Sequence, residues 1–106
     1  MKKLDVWICK AEIAYKGGNI KCAIKHANSA LGVCADPAKE IALRIFIARA
    51  YSRLGCYDKS NTIYRELLRE NAYIPLVIMG LLYNNFKNPE KQKNSVRLMK
   101  LCLRLR

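Results

Sequence analysis

At 106 residues, 52% of them apolar, the chain has room for one small domain, able to bury roughly 60–70% of its unfolded surface. No apolar run approaches the 18 or more residues of a membrane span, and Met1-Lys2-Lys3-Leu4-Asp5 leads straight into polar sequence. Neither a span nor a secretory leader is therefore expected. A net charge of +12 favours acidic partners: nucleic acid, an acidic protein surface or an anionic membrane face.

Val is scarce while Ala, Leu, Lys and Arg are common, which points to an all-α domain. The five cysteines (Cys9, Cys22, Cys34, Cys56, Cys102) are odd in number, lack CxxC spacing and sit inside apolar patterns. His26, the one histidine, is read as having no Cys or His neighbour at a ligand spacing. Reduced thiols in an intracellular protein, cytoplasmic or nuclear, are expected, with no metal and no cofactor.

Residues 4–17 place Leu4, Trp7, Ile8, Ala11, Ala14 and Tyr15 at steps of three and four, one helical face. Gly17-Gly18-Asn19 ends that helix, because glycine accepts the left-handed conformation of a C-cap. A second helix at about 20–32 turns Ile20, Ala23, Ile24, Ala27, Ala30 and Leu31 inward. The chain then turns from Gly32 to Pro37, and Asp36-Pro37 supplies an N-cap and a first-turn proline for the third helix. The third and fourth helices meet at Leu54-Gly55-Cys56. Residues 73–86 read as a fifth helix, apolar almost all round and so expected to be the most buried. Asn88-Pro89 opens a sixth at about 90–105.

The first two hairpins repeat. Trp7, Ala11, Gly18, Ala23 and Ala30 recur 37 residues later as Arg44, Ala48, Gly55, Ser60 and Leu67. With Tyr51, Tyr57 and Tyr64, this spacing resembles the 34-residue tetratricopeptide (TPR) repeat, with three extra residues around Pro37. The likeness covers residues 4–37 and 41–74. The second unit departs from it at Arg44, Ser60, Leu67 and Ala72, and the hairpin at 75–106 follows in line with a spacing that no longer fits. The resemblance implies a single domain over 1–106. It would be a right-handed superhelical stack of three helical hairpins, six helices in all, which binds other macromolecules and does no chemistry.

A narrower likeness lies in Tyr64-Arg65-Glu66-Leu67-Leu68-Arg69-Glu70-Asn71, continued by a helix with Gly80-Leu81-Leu82. It is similar to a segment of the TPR scaffold subunits of the anaphase-promoting complex. This implies a structural subunit, or a fragment of one, of that cell-cycle ubiquitin ligase, often homodimeric through its N-terminal TPR part. The carboxylate clamp of chaperone-binding TPR domains is absent, since Ile8, Glu12 and Phe46 stand where it needs Lys and Asn.

In TPR stacks the first helix of each pair lines a concave groove. The resemblance therefore places Asp5, Ile8, Glu12, Tyr15 and Lys16, then Ile45, Arg49, Ser52 and Arg53, on the inner surface. Lys16, Arg49 and Arg53 suit an acidic peptide, and Tyr15 and Ile45 supply apolar contact. The plainer alternative is an ordinary solvated helix face.

The stretch 87–106 sets seven Lys and Arg against Glu90 alone. Arg97, Lys100 and Arg104 form a basic stripe beside an apolar one of Leu98, Leu101, Cys102 and Leu105. Such a helix docks on a protein partner, a second copy, anionic lipid or RNA phosphates, or else packs on the fifth helix with its basic chains snorkelling. Nucleic acid is the second choice among partners, because no aromatics interleave with these cations to stack on bases. No catalytic motif occurs, so an enzyme is not expected.

Overall fold

The computed structural model describes residues 3–70 and 74–87. They form five α-helices and, among the described residues, no strand: α1 (Lys3–Lys16), α2 (Ile20–Val33), α3 (Pro37–Arg53), α4 (Tyr57–Glu70) and α5 (Pro75–Lys87). The expected sixth helix lies outside the described residues. None of these helices is long and apolar enough to cross a membrane.

The turns form where their chemistry dictates. Gly18 and Gly55 take φ of 87° and 82°, the left-handed region that a side chain makes costly. Asn19 Oδ1 accepts from the Cys22 amide at 3.3 Å, capping α2, and Asp36 Oδ1 accepts from the Ala38 amide at 3.0 Å, capping α3 ahead of Pro37. Helix α2 runs to Val33, so Gly32 belongs to the helix and not to the turn in which the sequence placed it.

Each helix packs on the next, and α3 also touches α5. The result is elongated, with Cα extents of 44 × 27 × 17 Å and a radius of gyration of 14.4 Å, against roughly 12–13 Å for a compact globule of this length. The core is continuous from α1 to α3 through Ala11, Ile20, Ile24, Ala27, Ala30, Leu43, Ile47 and Ala50. A second cluster joins α3, α4 and α5 through Ala48, Tyr64, Leu67, Val77 and Leu81.

The 37-residue repeat is visible in the packing. Ala11 and Ala48, Ala23 and Ser60, and Ala30 and Leu67 are all buried, so each position does the same work in both hairpins. Small side chains at Ala11, Ala23 and Ala48 leave room for the facing helix to approach.

Helix α5 overturns the expectation of all-round burial. Val77, Ile78 and Leu81 are buried, but Leu76 and Met79 are exposed, as are Tyr83 and Phe86. Two asparagines, Asn84 and Asn85, are buried in their stead. The burial pattern nonetheless follows α3 at a step of 34. Leu43, Ile47 and Ala50 correspond to buried Val77, Leu81 and Asn84; Ala42, Arg49 and Arg53 correspond to exposed Leu76, Tyr83 and Lys87. Although its residue types leave the repeat pattern, this helix keeps the register of the one two before it.

Candidate protein-docking face

The candidate site is the side of the domain shared by α1, α3 and α5. At the α1–α3 junction Tyr15 and Phe46 meet with ring centroids 5.2 Å apart, and the Arg53 guanidinium lies 4.9 Å from the Tyr15 ring centroid. That cation–π contact brings together two residues singled out from the sequence. Ile8 and Ile45 are half-buried, while Glu12, Lys16, Arg49 and Arg53 are exposed. Ser52 departs from the expected inner surface. It is buried, and its hydroxyl donates to Asn84 Oδ1 at 2.6 Å.

The α3–α5 junction is polar and closed. Asn84 Nδ2 donates to Ser60 Oγ at 2.9 Å and to Asn61 Oδ1 at 2.8 Å, so one side chain on α5 ties α3 to α4. The Asn61 Nδ2 group finds no partner among the described residues, although it is buried. Tyr64, also buried, lies against Gly80 of α5. A Cβ on Gly80 would fall 2.6 Å from the Tyr64 Cε2 and hydroxyl oxygen, closer than real contacts allow. Burial pushes the Tyr64 hydroxyl above the ordinary tyrosine pKa, and the Arg49 charge and a hydrogen bond with Ser60 oppose that shift in part.

Arg49 and Arg53 on α3 and Lys87 on α5 are exposed cations. Arg44, also on α3, forms ion pairs at 3.6 Å to Glu66 and 2.8 Å to Glu70. Leu76, Met79, Tyr83 and Phe86 of α5 are exposed as well, and sequence reasoning did not assign them to the site. The 34-residue step from exposed Ala42 and Arg49 signals Leu76 and Tyr83, but Met79 and Phe86 follow half-buried Ile45 and buried Ser52 and are not signalled by it. The apolar character of the whole helix concealed which side would remain uncovered. The other predicted docking residues, Arg97, Leu98, Lys100, Leu101, Arg104 and Leu105, lie outside the described residues.

Two further concavities lie elsewhere. A cleft of about 230 Å³ is lined by Asn28, Leu31, Arg44, Ile47, Tyr51, Ile63 and Glu66. An open groove of about 440 Å³ runs between α1 and α2 along Lys10, Ile13, Ala14, Asn19, Cys22 and His26. Trp7 stacks on His26 there, with centroids 5.7 Å apart. The sequence reading gave His26 no cysteine at a ligand spacing, but Cys22, one helical turn earlier, lines the same groove. Among the described residues no group of three or more His, Cys, Asp or Glu is placed to hold a metal ion.

No family model matches the chain, and no curated protein or solved structure is significantly similar to it. Function must be argued from the face itself.

Proposed function

We propose that this protein is a non-catalytic scaffold that holds a partner protein along the face of α1, α3 and α5. In this reading the helices are the first five of a right-handed TPR-like stack, and the segment 88–106 completes its third hairpin. The observation that carries it is that α5 leaves four large apolar side chains, Leu76, Met79, Tyr83 and Phe86, exposed in a chain of net charge +12. A solvated face has no need of four large apolar residues; a docking face does. The narrower form of the proposal, a scaffold subunit of an anaphase-promoting-complex-type ubiquitin ligase, rests on the likeness of residues 64–71 and 80–82.

The test is a tagged pull-down of the full chain from extract of its native host, split into nuclease-treated and untreated halves. Protein partners retained after nuclease support the scaffold, and ubiquitin-ligase subunits among them support its narrower form. Partners lost with nuclease move the assignment to an RNA- or ribosome-associated protein, the reading that the net charge of +12 favours. Charge reversal of Arg97, Lys100 and Arg104 separates the two again. A phosphate binder loses its partner and shows a steep salt slope, whereas a scaffold loses more from Leu101→Glu or Leu105→Glu.

A further inference from the structure

Cys22 and His26 stand one turn apart on α2, and both line the open groove between α1 and α2. Side chains four residues apart on a helix share a face, with Cβ atoms roughly 5–6 Å apart. Each leans toward the helix N-terminus, so the imidazole leans back toward Cys22. The ring is fixed from the neighbouring helix, where Trp7 of α1 stacks on it at 5.7 Å between centroids and 28° between planes. Cys22 is a free, half-buried thiol. The His26 Nδ1 atom is buried and has no hydrogen-bond partner among the described residues. A buried polar atom left so is costly, and an imidazole nitrogen in that position has a lone pair to give to a metal ion.

Thiolate and imidazole are also donors that soft metal ions select. Bonds of about 2.3 Å to sulfur and about 2.0 Å to nitrogen, the lengths zinc adopts, span the gap between side chains one turn apart. The number of donors decides which ion. Among the described residues no third His, Cys, Asp or Glu joins the pair. Zinc sites take at least three protein ligands, whereas cuprous ion is complete with two donors in line. Charge argues the same way. Lys10 lines the groove, Lys21 and Lys25 are exposed on α2, and the chain carries +12. A cuprous ion that replaces the thiol proton adds no charge, while a divalent ion on the same donors adds one to a cationic surface. We infer that Cys22 Sγ and His26 Nδ1 form a two-donor site for cuprous copper. Binding makes one Cu–S and one Cu–N bond and releases the Cys22 thiol proton to water; the copper stays cuprous, so no electron moves. The site goes beyond the scaffold reading and does not rest on it, since neither donor lies on α3 or α5.

The experiment supplies cuprous ion to the full chain without oxygen, kept reduced by ascorbate, and contests it with the coloured chelator bicinchoninate. Cys22→Ser and His26→Gln should each weaken copper retention at least about tenfold, since loss of a group that merely orients a ligand already costs about 10–100-fold. Cys9→Ser, Cys34→Ser and Cys56→Ser, at positions that do not line the groove, should leave retention unchanged. His26→Gln decides most, because it keeps all five thiols. Unchanged retention in that variant places the copper on cysteines alone and overturns the inference. Displacement of the copper by an equal amount of zinc overturns it too. Circular dichroism checks that each variant is still helical. X-ray absorption at the copper edge of the parent chain needs no substitution at all. One sulfur and one nitrogen in line is the expected result, and a shell of sulfur alone overturns the site even if His26→Gln fails to fold.

Discussion

The Ser52 hydroxyl donates to Asn84 Oδ1 across 2.6 Å, and through it α5 is held to a helix that ended more than twenty residues earlier in the chain. The Asn84 amide then donates to Ser60 and Asn61, so a single buried side chain satisfies groups on two helices. Buried polar groups of this kind set register, because any shift of α5 along α3 leaves several of them unpaired at once.

Asn84→Leu should therefore destabilise the domain by about 3 kcal/mol, the order expected when several buried donors and acceptors lose their partner together. Urea unfolding followed by circular dichroism reads this directly. Asn85→Leu, at a neighbouring buried position without these bonds, serves as the comparison.

Gly80→Ala should also destabilise, against the usual preference of helices for alanine. Propensity favours Ala by about 1 kcal/mol. The added methyl, however, meets the Tyr64 ring, which is itself buried and has nowhere to swing. Overpacking of this sort costs about 1–3 kcal/mol. The double variant Gly80→Ala with Tyr64→Leu should recover part of the loss in the same unfolding assay.

Tyr64 should give a signature at high pH. Its folded pKa is raised, chiefly by burial, so above about pH 10 the unfolded chain releases this proton while the folded one retains it. The folded state then binds more protons than the unfolded, and stability falls as pH rises. The contribution is fully present below about pH 10 and lost above it. Tyr64→Phe should remove this part of the decline, visible as a shallower loss of melting temperature between neutral and strongly alkaline buffer than the parent chain shows.

Arg44 should matter little by its charge. Its partners are about half exposed, with side-chain accessibilities of 49% for Glu66 and 56% for Glu70. Arg44→Met keeps most of the aliphatic packing and should cost no more than about 1 kcal/mol, less at high salt. A larger loss that does not respond to salt would show that the guanidinium supports the cleft between α2, α3 and α4 by packing.

Local signals were legible in the residues themselves. The starts and ends of the helices follow from three- and four-residue apolar steps, from Asp36 as a cap, and from Gly18 and Gly55 as turns, whereas the Asn19 cap of α2 came from the structure. The burial of Ala11, Ala23, Ala30, Ala48, Ser60 and Leu67 follows from the 37-residue repeat. All of these are properties of segments shorter than a hairpin, or of two segments compared.

Tertiary structure decided the rest. Helix α5 is apolar on nearly every side, so periodicity offered no means of choosing which face would be covered. The choice fell to Asn84, whose partners lie 23 to 32 residues away on α3 and α4, and to Gly80, which alone leaves room for the Tyr64 ring. Once those contacts face inward, Leu76, Met79, Tyr83 and Phe86 must face outward. A helix has only one rotation that satisfies its buried hydrogen bonds, and that rotation left these four apolar side chains exposed.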